Sequence, residues 1–281
     1  MMSIPTARLA LSRLGAALVT AGLVGWAGGA NASAVASVAI TGFTVGTNAD
    51  PSAFVFGATD YQNQSWDLRA QNGGFGLVQQ NSSVASWANV DQTAQTSLAG
   101  ATVSSSVFTD NATQLNTPGF TLAAHASPSI NPPSNPNRGS GSFVSSGVFC
   151  FGDGAGFDGT SAGCNAAGEL TLTVFYDLLA SVDDPAGQLA EASMALHVSN
   201  GDGSISDTLS DFTSAATGGS RLGLWKTYTL DLAAGDVAFF DLSGAVLVTA
   251  IPEPSTLALI AIAGLGIGFT RRRGAAVSLP A

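Results

Sequence analysis

The chain has only two histidines, His125 and His197, and between residues 35 and 250 only two glutamates, Glu169 and Glu191, among many aspartates. Acyl transfer of the Ser-His-Asp kind would have to recruit one of those imidazoles. Neither lies in a nucleophile-elbow or comparable local signature, although triads assemble in space. His125 stands beside a Pro-rich stretch, and His197 falls in strand-like text where a solvent-facing position is expected. Glycoside hydrolysis needs two carboxylates at a fixed separation, and the acidic residues here sit largely in turn-forming segments that single out no pair. These residues point to a non-enzymatic protein, with a secreted hydrolase as the weakest alternative.

Oxygen donors for calcium are the next candidates. SNGDGSISD resembles the Asn-Gly-Asp-Gly core of EF-hand and dockerin loops, with Asn200 and Asp202 as donors. Placing Asp202 and Gly203 at loop positions five and six puts Val198 first and Leu209 twelfth, where a carboxylate should stand. A type I′ hairpin turn fits the same residues better. FGDGAGFDGTSAGC offers Asp153 and Asp158 on a Gly-rich segment that reads as a solvated turn or a calcium-stabilised loop. No cofactor is required by any of these patterns, and calcium stays as the one candidate ligand.

Cys150 and Cys164 are the only cysteines. In an oxidising compartment such a pair forms a disulfide. Zinc is disfavoured because no histidine lies close enough in sequence to complete a tetrahedral site. Trp66, Trp87 and Trp225 could stack on sugar rings or fill a core, since large aromatics serve both purposes.

The elements that must position these residues are strands. VASVAITGFTV, SAFVFGA and GFGLVQ set Val, Ile, Phe and Thr between Gly, Asn and Asp turn formers. SSVASWANVDQTAQTSLAGATVSSSVFT suits sheet more than an amphipathic helix. Residues 125–142 concentrate Pro, Asn, Ser and Gly and read as a loop or linker. GELTLTVFYDLLA reads as a strand covered on both faces. Strand text flanks Asn200-Gly201-Asp202-Gly203, and LWKTYTLDLAAGDVAFFDLSGAVLVTA reads as three strands joined at Ala234-Gly235-Asp236 and Ser243-Gly244. Short strands without a long helix between them predict an all-β fold, a β-sandwich of jelly-roll-like type, over residues 35–250.

The two ends differ from this body. Arg8 and Arg13 precede an uncharged apolar run at 14–27, and GGANASA follows, which is the pattern of a secretory signal peptide over residues 1–34. Ala30-Asn31-Ala32 and Ala32-Ser33-Ala34 both satisfy the small-x-small cleavage rule, so the mature chain begins near Ser33 or Val35. An uncleaved anchor is the alternative, at a length short for a bilayer span. At the other end, IPEPSTLALIAIAGLGIGFTRRRGAA holds thirteen apolar residues at 257–269, about 20 Å as a helix. That is short for a span and long enough for a core helix. Its flanks favour a transmembrane helix: Pro252 and Pro254 isolate it from the preceding strand, and Arg271, Arg272 and Arg273 stand where positive charge holds the cytoplasmic side.

Pro252-Glu253-Pro254-Ser255, an apolar helix and an arginine cluster, in that order over residues 251–274, resemble the PEP-CTERM sorting signal of Gram-negative bacteria. The resemblance implies an exosortase as partner, a membrane-embedded cysteine transpeptidase-like enzyme. It implies cleavage near the Pro-Glu-Pro triplet, transient residence in the inner membrane, and delivery to the cell surface or an extracellular matrix of exopolysaccharide, floc or biofilm.

Charge fits an external placement. Charged residues are 10% of the chain, against roughly 25% in an ordinary soluble protein. With both ends set aside, the body keeps Arg69, Arg138, Arg221 and Lys226 against eighteen carboxylates, a formal charge of −14. Nucleic acid is excluded as a partner, because phosphate contacts require clustered Lys and Arg. Metal cations and neutral sugars fit this composition.

Overall fold

A computed structural model of the chain describes residues 33–251 apart from the segments 48–53, 57–62, 74–75, 85–87, 99–100, 110–119, 128–135, 154–162, 184, 186, 201–202 and 218. The described strands are β1 (Ala34–Thr47), β2 (Phe54–Phe56), β3 (Asn63–Asn72), β4 (Gly76–Val84), β5 (Val90–Leu98), β6 (Ala101–Thr109), β7 (Phe120–Ala126), β8 (Asn137–Phe151), β9 (Gly168–Val182), β10 (Gln188–Asn200), β11 (Ser206–Ser214), β12 (Ser220–Leu232) and β13 (Ala238–Ala250). They form two antiparallel sheets. The first runs β12-β9-β1-β7-β6-β5 and the second β11-β10-β13-β8-β3-β4, with the short β2 added along the far end of β8. The sheets pack face to face, β1 against β10 and β13, β7 against β13 and β8, and β6 against β8 and β3. The fold is the β-sandwich expected of the sequence. Hairpins join β3 to β4, β5 to β6, β6 to β7 and β10 to β11, whereas every other connection except β2–β3 passes between sheets, a jelly-roll-like winding.

Period-two burial carries the packing. In β7 the side chains of Phe120, Leu122, Ala124 and Ala126 are buried while their neighbours are half-exposed, and β13 alternates in the same way from Ala238 to Ala250. Strand geometry sends successive side chains to opposite faces, so one face of each sheet meets the core and the other meets water. The core centres on aromatic contacts between the sheets: Phe43 stacks on Phe240 at 5.3 Å, and Phe120 meets Phe143 at 4.6 Å.

Three local expectations are corrected. Residues 224–250 form two strands, not three, and Ser243-Gly244 lies inside β13. Gly244 is there because Phe120 crosses above it: a Cβ on Gly244 would stand 2.7 Å from the Phe120 ring. What reads as a turn glycine is a gap for a core aromatic. The proposed loop at 125–142 is strand at both of its ends, since β7 runs to Ala126 and β8 begins at Asn137, with residues 128–135 outside the described residues. Gly139 and Gly141 face inward in β8, where a Cβ would come within 3.0 Å of the Ser104 carbonyl and 2.9 Å of Leu122. Close approach of the sheets, rather than flexibility, accounts for that Gly-rich text. Finally, β9 is buried on one face only; Thr171 and Thr173 on its other face are half-exposed and Phe175 is exposed.

Candidate functional site

Two of the body's four cations and a carboxylate gather where β11 and β12, an edge strand of each sheet, lie side by side. The Tyr176 hydroxyl, on the inner face of β9, donates to Asp211 Oδ2 at 2.6 Å, and the Arg221 guanidinium donates to the other Asp211 oxygen. Arg221 also donates to the Phe212 carbonyl, and the Lys226 ammonium donates to the Ser210 carbonyl. Two of the body's four cations therefore occupy backbone carbonyls of an edge strand, which blunts it against pairing with another chain. Burial acts to raise the Asp211 carboxyl and is outweighed by the Tyr176 hydroxyl, the Phe212 backbone N–H and Arg221, so its pKa lies below the usual carboxylate range. Burial first and Asp211 second push the Tyr176 hydroxyl well above its ordinary value. The seam is a structural clasp: each donor meets an acceptor within the fold, and a tyrosine so raised is a poor base at neutral pH.

Because the folded pKa of Asp211 is depressed, its contribution is complete above the unfolded value, about 3.9 for Asp, and is lost as pH falls through the folded value. The melting temperature of the body is expected to drop below about pH 4. Asp211→Asn should lower stability at neutral pH and flatten that acid limb, as thermal melts from pH 2.5 to 7 would read.

The remaining candidates are scattered. Glu169 lies on the outer face of the first sheet, since it pairs with Asp231 next to the inward Leu170. Glu191 lies on the outer face of the second, beside the inward Ala190 and Ala192. His197 is also on that outer face, its Nδ1 3.0 Å from Thr208 Oγ1. His125 stands in β7 opposite Val35, and burial lowers its pKa against the opposing pull of Asp183. Asn200 closes the β10–β11 hairpin, but in a wider loop than a two-residue I′ turn: the last ladder pair is Ser199 with Ser206. Its side chain accepts from the Ile205 N–H at 2.8 Å and donates to Ser204 Oγ at 2.8 Å, so the carboxamide is committed to the turn. Asp153 is exposed and exchanges hydrogen bonds with Asn165. Asp158 and Asp202 lie outside the described residues, and among the described residues no three His, Cys, Asp or Glu side chains come together.

Cys150 and Cys164 are joined as a disulfide. With Val148 and Val237 they make a small buried cluster separate from the main core, and the Cys164 carbonyl accepts from the N–H of Gly235 in the β12–β13 crossing. The bridge thus braces the chain where it passes between sheets.

One surface feature escaped the sequence reading. On the outer face of the first sheet, Trp225 of β12 stands opposite Phe175 of β9, which lies over Gly42 of β1, and they are 64% and 39% exposed. The next rows of that face are Thr227-Thr173-Thr44 and Thr229-Thr171-Gly46. Thr227 and Thr173 hydroxyls lie 3.1 Å apart. A bulge between Arg221 and Leu224 sets the position of Trp225, and the Gly223 N–H donates to Asp177 Oδ1 at 2.6 Å. The signal was present as Thr-x-Thr-x-Phe at 171–175 and Trp-x-Thr-x-Thr at 225–229; seeing it required knowing that these two strands are neighbours. Trp66, by contrast, is partly buried against the core, and Trp87 lies outside the described residues.

β13 is an interior strand, and its last residue, Ala250, pairs with both Gln188 and Asn137. The next residue, Ile251, still donates its N–H to the Gly187 carbonyl at 2.7 Å. Pro252, Glu253, Pro254, Ser255, Arg271, Arg272 and Arg273, with the expected transmembrane helix, lie outside the described residues; among the described ones no helix is long and apolar enough to cross a membrane. The signal peptide expected at 1–34 lies outside them as well, except for Ser33 and Ala34. No curated protein and no solved structure matches the chain. A family model for the PEP-CTERM protein-sorting motif matches residues 250–273, so that the match begins on the final residue of β13. The chain carries a PEP-CTERM protein-sorting motif appended directly to a β-sandwich, which marks it as an exosortase substrate, exported and associated with the cell surface.

Proposed function

We propose that the sandwich is a non-enzymatic component of the cell surface or extracellular matrix, delivered there when an exosortase acts near Pro252-Glu253-Pro254. The observation that carries this reading is the junction: the sorting motif starts where the ladder of an interior strand stops, so a folded body is presented to the processing enzyme with no intervening domain. Support for a non-catalytic body comes from how the fold spends its titratable groups. Glu169 and Glu191 face away from each other on opposite outer faces, and Asp211, Tyr176, Arg221 and Lys226 close the sandwich edge.

A second reading, a carbohydrate-binding body, is favoured by one feature: the exposed Trp225–Phe175 pair continued by threonine rows. An apolar ring face can stack on a pyranose while hydroxyls exchange hydrogen bonds with its substituents. Outer-facing positions from Trp225 to Thr229 and from Thr171 to Phe175 carry no charge, which suits a neutral polysaccharide. The mature body is expected to co-sediment with the host's own exopolysaccharide. Trp225→Ala should weaken that binding about tenfold, the 1.4 kcal/mol scale of one aromatic contact. Unchanged binding by the variant removes the carbohydrate site; release of reducing ends from the polysaccharide refutes the non-enzymatic reading.

A further inference from the structure

Both ends of the described body are fastened to the connection between β9 and β10. Ile251 donates to Gly187 near one end of it. Near the other end, the Ser33 backbone nitrogen donates to Asp183 Oδ2 at 2.7 Å, Ser33 Oγ lies 3.2 Å from the same oxygen, and the Asp183 N–H returns a bond to the Ser33 carbonyl at 3.2 Å. A carboxylate receiving a main-chain nitrogen at the very start of a folded body, three residues after an Ala-x-Ala sequence begins, is a ready acceptor for a terminal ammonium.

We propose that the leader is cut between Ala32 and Ser33, and that the new α-ammonium of Ser33 docks on the Asp183 carboxylate. This rests on the reading of residues 1–34 as an export signal. A signal peptidase supplies the hydrolysis: one water adds across the Ala32–Ser33 peptide bond, leaving a carboxylate on Ala32 and an amine on Ser33. With an ordinary α-amino pKa of about 7.7–8.0, that amine is mostly protonated at neutral pH. The contact then becomes a charge-assisted one, about twice as strong as its neutral counterpart.

The competing cut, after Ala34, is incompatible with the fold in two ways. Ala34 is fully buried and opens β1, pairing with Ala126 on one side and Val182 on the other. Removing it would start the chain at Val35, inside a ladder between His125 and Ser181, and bring a charged terminus into the sheet. It would also take away the Ser33 groups that meet Asp183. His125 is a titratable group that feels the field of this carboxylate.

The test uses the exported protein from its host. Intact-mass analysis and N-terminal sequencing should give a chain beginning at Ser33; a start at Val35 overturns the proposal, and a chain that retains residues 1–32 overturns the export reading on which it rests. The docking half has its own readout. Lys226 is the only lysine, so the mature body has two amines, and labelling of the α-amine by an amine-reactive ester near pH 7.5 is followed separately. Asp183→Asn should speed that labelling several-fold, and so should 1 M salt on the unmodified protein, where the screening length falls to about 3 Å. Rates unchanged by both overturn the docking.

Discussion

Cells producing the chain with Pro252→Ala and Pro254→Ala are expected to retain it at full length in the inner membrane, with little or none reaching the surface. Proline at these positions fixes φ, removes backbone donors and pushes the preceding residue out of the helical region. In this chain they stand immediately after Ile251, the last described residue, whose N–H is held by the Gly187 carbonyl. Alanine in their place lets the helix expected at 257–269 propagate back toward the sandwich, turning an extended recognition site into a helix that a processing enzyme cannot thread. Replacing Arg271, Arg272 and Arg273 with Ser should fail differently. About thirteen apolar residues hold poorly in a bilayer without charged flanks, so that variant should leak through unanchored and uncut. Fractionation with immunoblotting and intact-mass analysis separates the outcomes. If both variants are cut and exported like the parent, residues 250–273 do not act as a sorting signal.

The second large effect is expected from the disulfide. Cys150 and Cys164 are 14 residues apart, and closing a loop of that size restricts the unfolded chain by about 3 kcal/mol in the entropy model. Cys150→Ala with Cys164→Ala should therefore lower the melting temperature of the mature body by about 6–12 °C, at the 2–4 °C per kcal/mol typical of domains this large. The bridge lies outside the main core and its carbonyl contact fastens the β12–β13 crossing. Local loosening should follow, seen as faster hydrogen exchange at Gly235 and Val237 while β1 and β13 keep their protection. Alkylation of the exported protein without reductant should label neither cysteine; labelling of both shows that the bridge does not form in the cell.

How much of this was readable beforehand depends on the range of the interaction concerned. Turn chemistry and alternation are local, and the strands at 34–47, 168–182 and 188–200 follow from them. Glycines misled where the reason for them was distant. Gly139, Gly141 and Gly244 look like loop or turn residues, yet each is fixed by a side chain or carbonyl from the opposite sheet: Ser104, Leu122 and Phe120. Asn200 shows the intermediate case. The sequence announces a hairpin, and the carboxamide's bonds to Ser204 and Ile205 decide its width.

Destination was settled by the sequence itself, because the parts of a sorting signal are read in order along an extended or membrane-inserted chain: a rigid triplet, an apolar run and a positive cluster need no fold to be recognised. The same holds for the all-β class, which follows from a repeated two-residue period. Only the tertiary structure decided which surfaces those strands present. Trp225 and Phe175 became one exposed platform, and Arg221 and Lys226 became caps on the carbonyls of β11, through pairings between residues 9 to 50 positions apart. Strand order is set by how two sheets bury their inner faces together, a property of the whole chain that no local window contains.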